Sequence, residues 1–273
     1  MNSVSYFKNK TAIVTGSGMG IGKAIALELC KEGANVVLNG RNAERLEKTY
    51  QEFLKKGYNV VAVRADVTKS SECDVIIQKA IDSFGGIDIL ITNAGISMRE
   101  RFENLQPEIF AQIIESNING SAFPALKALP HIKKVKGSIV FISSAAGMIG
   151  LPTASAYSAG KMALTALAQS LKIEMAHSGV HVGIVHVCFT KNDEEKRVLN
   201  ATGELIPVAE RPAYLQQTQE EVAKAVLSTI RNKKFKVILT FIGKLNAFAV
   251  RFFPGLVIRL ITASQKKMEK MYQ

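Results

Sequence analysis

The chain is 273 residues long and 47% hydrophobic, enough to bury a sizeable core within a single α/β domain. Its three cysteines, Cys30, Cys73 and Cys188, form no CxxC pair and its four histidines sit at no metal-ligand spacing, so no disulfide framework and no metal site is expected, and the setting is expected to be cytoplasmic. The net charge of +12 is uneven: Arg231–Gln273 holds ten Lys/Arg against Glu269, a balance of +9, which leaves +3 for the first 230 residues and argues against a nucleic-acid groove across the body.

In chain order, the opening MNSVSYFKNK lacks the apolar core of a signal peptide, and no run of about 18 apolar residues predicts a simple membrane-spanning helix. Short β-branched runs then alternate with helical periodicity. Strands are predicted at Thr11–Thr15, Asn35–Asn39, Val60–Arg64, Ile87–Ile91, Ser138–Ile142, His181–Val187 and Lys236–Thr240. Most are continuous apolar runs, the pattern of a parallel sheet covered on both faces. Between them, Leu46, Tyr50, Phe53 and Leu54 make one helical stripe and Ile76, Ala80, Ile81 and Phe84 another. Gly33, Gly57 and Gly85-Gly86 stand where helices should stop. The alternation predicts one doubly wound parallel seven-stranded sheet over residues 1–240, with helices on both faces and right-handed crossovers. Residues 189–219 are polar, carry Pro207 and Pro212, and read as a long excursion of the kind that forms lids or binding surfaces. Residues 241–273 read as a C-terminal helical extension broken at Pro254.

The first strand runs into Thr15-Gly16-Ser17-Gly18-Met19-Gly20-Ile21-Gly22 and the apolar helical face Ile21, Ala24, Ile25 and Leu29. Glycines permit a tight turn and let the backbone approach a pyrophosphate, while the new helix offers free N–H groups and its positive dipole end. A glycine cluster alone is a weak signal, but its place between a first strand and a helix favours a dinucleotide site over a mere turn. The second strand ends Asn39-Gly40-Arg41. Where a carboxylate selects the free ribose of NAD, Gly40 stands instead. The Arg41 guanidinium suits a 2′-phosphate, so NADP(H) is the predicted cofactor; the alternative is a solvated Arg41 opening the next helix. Asp66 and Val67, at the end of the third strand, are placed to receive the adenine, although Asp66, like Thr68, also fits a helix-capping turn.

Taken together, TGSGMGIG at 15–22, Asp66, Thr92-Asn93-Ala94-Gly95, Asn117, Ser144 and Tyr157-Ser-Ala-Gly-Lys161 resemble the short-chain dehydrogenase/reductase family over roughly residues 8–240. Tyr-x-x-x-Lys alone recurs by chance; the whole series in the family's order does not. The resemblance implies a Rossmann-type fold, a dimer or tetramer, and hydride exchange between NADP(H) and a carbonyl or alcohol. Tyr157 would be the acid/base. A free tyrosine has a pKa near 10, and Lys161, one helical turn away on the same face, would favour the phenolate. In the family Lys161 also binds the nicotinamide ribose. Ser144, favoured over Ser143 by the family's spacing to the tyrosine, would hold the substrate oxygen. Asn117 would hold a water relaying protons to Lys161, or else bond only to backbone. Asn93, Ala94 and Gly95 would border the adenine ribose, with Thr92 departing from the family's usual Asn. A larger departure is Cys188-Phe189-Thr190, where relatives carry Pro-Gly; Thr190 is the candidate for the carboxamide contact and Cys188 reads as a packed, unreactive thiol.

In the tail, Phe241, Leu245, Phe248, Ala249 and Phe252 form an apolar stripe beside Lys244 and Arg251, and Lys266, Lys267 and Lys270 follow. Two readings stand: a helix pair covering the pocket or a subunit surface, and an amphipathic segment making peripheral contact with anionic membrane. Arg-Phe-Phe-Pro-Gly-Leu resembles the tails of lipid- and steroid-reducing members. The predicted substrate is a hydrophobic ketone or secondary alcohol, a lipid 3-oxo compound or a steroid, in a pocket supplied by Met98, Met148, Ile149, Leu151 and Phe189. The alternatives are a sugar or 3-oxoacyl-thioester reductase, and a non-catalytic NADP-sensing protein that binds membrane.

Overall fold

The β-branched runs form β1 (Thr11–Val14), β2 (Asn35–Gly40), β3 (Val60–Arg64), β4 (Ile89–Thr92), β5 (Ser138–Ser144) and β6 (His181–Val187). An antiparallel hairpin, β7 (Arg197–Leu199) and β8 (Leu205–Pro207), precedes the last strand, β9 (Lys236–Ile238). Between the strands lie α1 (Gly20–Lys31), α2 (Ala43–Lys55), α3 (Ser70–Phe84), α4 (Pro107–Lys134), α5 (Ser155–Glu174) and α6 (Gln219–Arg231), and α7 (Phe241–Phe252) and α8 (Pro254–Tyr272) close the chain. This computed structural model describes residues 5–208 and 212–272, without the side chains of Leu215 and 266–272, so the predicted basic positions Lys266, Lys267 and Lys270 lie outside the described side chains.

All seven strands of the main sheet run parallel, in the order β3-β2-β1-β4-β5-β6-β9, as the alternating pattern predicts. The order reverses between β1 and β4, which opens a crevice beyond the carboxyl ends of those strands. Two-residue periodicity divides the core. Val140 and Ile142 of β5 join Ile25, Leu29 and Val226 on one face, while Ile139 and Phe141 join Ile76, Ile132 and Leu164 on the other. Phe141 is fully buried, and its truncation to alanine would cost about 3–5 kcal/mol. Caps fix where helices begin. Asn42 accepts from the Arg45 N–H at the start of α2, and Thr218 forms a reciprocal capping box with Glu221 at the start of α6.

Strand ends differ from the predicted ones for local reasons. β4 starts at Ile89 rather than Ile87; just before it, Asp88 bonds by its backbone to Thr11 and Ser138 (2.9 Å each) and its carboxylate accepts from Thr11 N (2.9 Å), capping β1. β5 continues past Ile142 to Ser144, paired with Val187. β9 stops at Ile238 because Thr240 takes φ 62° and caps α7, its side chain accepting from Gly243 N. The hairpin of β7 and β8 lies inside the predicted excursion 189–219 and was not expected; three-residue strands carry too short a pattern to register in sequence.

Candidate active site

The turn from β1 to α1 is built by two sets of residues. Gly16 (φ 64°) and Gly20 (φ 60°) adopt the left-handed backbone a side chain resists, and a Cβ on Gly16 would meet Ala94 Cα at 2.9 Å. With Ile21 they line a cavity of about 760 Å³ at the strand ends. Ser17, Gly18 and Gly22, expected at the cofactor, do not line it. Ser17 is fully buried, its hydroxyl accepting from Asn39 N (2.9 Å). The Gly18 carbonyl accepts from Thr49 Oγ1 (2.9 Å), and Gly22 packs so closely on the Gly16 carbonyl that a Cβ would overlap it. These three hold the turn from behind. Asn93 locks it to β4, donating from Nδ2 to the carbonyls of Thr15 (3.0 Å) and Gly16 (3.1 Å), and lines the cavity with Ala94 and Gly95.

At the far end, Gly40, Arg41, Asp66 and Val67 line the same cavity. Arg41 Nη1 stands 3.3 Å from Asp66 Oδ2, with the guanidinium half-exposed. Burial pushes the Asp66 carboxyl up, but hydrogen bonds from Thr68 N (3.0 Å) and Oγ1 (2.9 Å) and the Arg41 charge outweigh it and hold the carboxyl below its usual range. Asp66 is thus an ionised acceptor as well as the turn residue its alternative reading described. Arg45, from the first turn of α2, was not singled out by the sequence. It too lines the cavity, so two cations flank the end of β2, a strand that ends in Gly40 and carries no carboxylate of its own.

The third part of the cavity joins β5 to α5. Tyr157 and Lys161 share one face of α5, with Nζ 5.7 Å from the tyrosine ring centroid. Lys161 is 5% exposed and donates to the Ile142 carbonyl (3.1 Å). Burial, helped by the Lys196 charge, pulls its ammonium down to about 8. Ser143 and Ser144 both line the cavity but differ in what their hydroxyls bond. The Ser143 hydroxyl is buried and donates to the Lys161 carbonyl (3.3 Å), whereas Ser144 is half-buried with its hydroxyl accepting from Ala146 N (3.2 Å), free to donate into the cavity. Asn117 sits one layer behind, fully buried in α4. Its Nδ2 donates to the carbonyls of Ile96 (2.8 Å) and Ile113 (2.9 Å), and its Oδ1 has no protein partner. A Cβ built on Gly95 would meet that Oδ1 at 2.7 Å and Lys161 Nζ at 3.4 Å, so glycine keeps open the space between the amide oxygen and the ammonium.

After β6 the chain departs from what its motifs predict. Thr190 reaches the cavity wall, but its hydroxyl donates to the Cys188 carbonyl (3.1 Å) and accepts from Gln217 Nε2 (3.3 Å). Cys188 donates to the Leu239 carbonyl (3.0 Å) and burial raises its thiol, in keeping with a packed, unreactive residue. His186, unnoticed in the sequence, is fully buried beneath Ser144. Its Nδ1 must donate to the Ser144 carbonyl (3.1 Å), which leaves Nε2 an acceptor without a partner, and burial lowers the ring to about 4, so it is neutral. Beyond it, two carboxylates of the excursion reach back to the cofactor end. Asp193 Oδ2 accepts from Gly20 N (2.7 Å) and Oδ1 from Gln219 Nε2 (2.7 Å), while Glu195 pairs with Arg45 (3.0 Å). Contacts between residues this far apart leave no local trace in a sequence. Of the predicted apolar wall, Met98, Leu151 and Phe189 line the cavity and Met148 and Ile149 do not; Val198, Leu199 and Leu205 of the hairpin take their place.

Residues 10–202 match the family described as short chain dehydrogenase. The chain is 38% identical over 175 residues to an uncharacterized oxidoreductase of Staphylococcus aureus, covering 64% of this chain and 75% of that one. It is 35% identical over 186 residues to a hydroxynaphthalene reductase-like protein of Metarhizium anisopliae, covering 67% and 69%. Among solved structures, a dehydrogenase/reductase from Sinorhizobium meliloti superposes with a TM-score of 0.73 at 29% identity, covering 86% of this chain and 96% of that one. An alcohol dehydrogenase from the archaeon Thermococcus sibiricus, complexed with 5-hydroxy-NADP, gives 0.72 at 25% identity, covering 84% and 95%.

Proposed function

We propose that this chain, which belongs to the short-chain dehydrogenase/reductase family of NAD(P)(H)-using oxidoreductases, is an NADP(H)-dependent reductase of hydrophobic ketones acting through Tyr157. The observation that carries the reading is the dry Lys161 ammonium beside Tyr157, opening with Ser144 onto one cavity. Bound there, the dinucleotide supplies a hydride to the carbonyl carbon. The chain's own groups manage the oxygen. The Ser144 hydroxyl donates to it and holds it at Tyr157, and the Tyr157 phenol gives up its proton as the oxygen gains negative charge. Lys161 makes that loss easier, since a cation in a water-poor site favours the phenolate. The unpartnered Oδ1 of Asn117 accepts from a water that in turn meets Lys161, a route by which the proton is restored.

The cavity fits a dinucleotide on its own terms. Gly16 and Gly95 line it where a Cβ would meet the opposite wall, and two points at its cofactor end already receive carboxylates. Arg41, with Arg45 beside it and no acid at the end of β2, supports NADP(H), as does the 5-hydroxy-NADP held by the archaeal neighbour. Met98, Leu151, Phe189, Val198 and Leu199 support an apolar substrate, in keeping with a relative named for a hydroxynaphthalene. A panel of alkyl, aryl and steroidal ketones, aldoses and 3-oxoacyl thioesters, followed by cofactor absorbance with NADPH and with NADH, tests this. The expected result is fastest turnover of apolar ketones with NADPH; preference for NADH, or for aldoses, would overturn the corresponding half.

A further inference from the structure

We propose that α7 and α8 form a docking surface for an anionic lipid bilayer, lying in its interface without crossing it. Half of the large apolar side chains that stand exposed among the described residues fall within 241–260, and these range from 55% exposed for Phe253 to 80% for Phe241. The Phe248 and Phe252 rings lie against each other, tilted by 44° with centroids 4.7 Å apart, and in this stretch only Gly243 and Val257 are buried. Soluble surfaces scatter such residues singly; a contiguous patch of this kind marks something that covers it.

The charge says what covers it. Between Thr240 and Lys266 the cations are Lys244, Arg251 and Arg259, and no acid occurs. Lys236, at the base of α7, is held below its usual range by burial and by the nearby Arg251 charge, so cations converge there too. A symmetric contact between two copies would set these cations against themselves with no acid to answer them. Anionic headgroups answer them directly, while the phenylalanines enter the acyl boundary. Geometry limits the depth. No single described helix is long and apolar enough to cross a membrane; α7 and the first part of α8 reach that length and hydropathy only together, and they meet at a 119° bend. The 12 residues of α7 span roughly 18 Å against a hydrocarbon core of about 30 Å. The pair therefore lies flat.

Docking also orients the body. A second cavity, of about 480 Å³, lies between Ile258 and Ile261 of α8 and Met162 of α5, and its wall includes Leu151 and Pro152, which also line the catalytic cavity. An apolar substrate leaving the bilayer would arrive beside that shared wall, a consequence that rests on the reductase reading; the docking itself does not.

The test is co-sedimentation of the full chain with vesicles of phosphatidylcholine alone and with added phosphatidylserine, at low and raised salt, with sedimentation velocity and thermal unfolding run in parallel. The expected result is binding to the phosphatidylserine vesicles that weakens with salt and falls about tenfold in a Lys244→Glu/Arg251→Glu variant and in a Phe248→Ser/Phe252→Ser variant. All four positions are exposed or at the patch edge; should the serine pair unfold, the charge-reversal pair carries the same test. Failure of the full chain to bind at low salt would overturn the proposal, as would a charge-reversal variant that binds as well as the parent. Loss of oligomer size in the serine variant, with no vesicle binding by the parent, would assign the surface to a second copy instead. None of these outcomes depends on turnover.

Discussion

At the ends of β4 and β5 the chain takes polar groups out of water, and along α7 and α8 it leaves phenylalanines in it. In the cleft nearly every buried polar atom named above has an answer: Lys161 on the Ile142 carbonyl, Ser143 on the Lys161 carbonyl, Asn93 on the Thr15 and Gly16 carbonyls. Among the described residues Asn117 Oδ1, His186 Nε2 and Thr92 Oγ1 are exceptions, as are the hydroxyls of Ser121 and Ser155. In the tail it is large apolar groups that stand exposed. Under the two proposals, these departures are places completed from outside the chain, by water, cofactor and substrate in the cleft and by lipid at the tail.

That contrast can be broken at the cleft, most severely at Tyr157. Tyr157→Phe removes the transferable proton and little else, so kcat should fall about 10²–10⁴-fold with NADPH affinity unchanged; a variant keeping most of its kcat would remove Tyr157 from the chemistry. Arg41→Ala should weaken NADPH binding by roughly 1.5–3 kcal/mol, the range for a hydrogen bond to a charged group, and leave NADH binding alone. Calorimetric titration of both cofactors decides it, and equal losses for both would defeat the 2′-phosphate assignment.

Lys161→Met separates function from stability. Burial lowers this ammonium from 10.5 to about 8, so below pH 8 the folded chain carries a charge it would shed if it could. Between pH 8 and 10.5 the unfolded chain holds a proton the folded chain has released, and stability rises with pH across that window. The penalty at neutral pH is roughly 3 kcal/mol. The Met variant should therefore lose turnover and yet resist denaturant better at pH 7, by about 1–3 kcal/mol once the bond to the Ile142 carbonyl is lost. A less stable variant at pH 7 would show that the buried cation is held by more than this cleft explains. The smallest effect is expected at Asp193→Asn. Its carboxylate occupies the Gly20 N–H and would repel a pyrophosphate; neutralising it should tighten NADPH binding severalfold, about 1 kcal/mol. Unchanged or weaker affinity would mean the excursion moves clear at no electrostatic cost.

Legibility followed locality. Most strands of the sheet are visible as apolar runs because both faces are covered, the edge strand β9 being half-exposed, and the glycine turn, Asn117, Ser144, Tyr157 and Lys161 are carried by short motifs. Strand ends differ from the predicted ones beside residues whose side chains cap a neighbouring element, as Asp88 does for β1 and Thr240 for α7. Choosing Ser144 over Ser143 needed family spacing; the pleat, which turns Ser143 toward α5, supplies the physical reason. Arg45, His186, Asp193 and Glu195 were illegible. Each acts through a partner distant in sequence, and as single residues they look like surface charges or a strand histidine. The tail was legible as an apolar stripe with basic neighbours, but exposure, which separates a covered helix from an uncovered one, has no signature in a sequence.

The measurement that bears most directly on the account is transfer of label from NADPH deuterated at the nicotinamide C4 to an apolar ketone, followed by NMR of the alcohol, with the parent chain and Tyr157→Phe side by side. The account predicts deuterium on the carbinol carbon with the parent and a rate at least 10²-fold lower with the variant, both proteins binding NADPH alike. Label that reaches no ketone in the panel, or reaches one at the same rate without the Tyr157 hydroxyl, would contradict it.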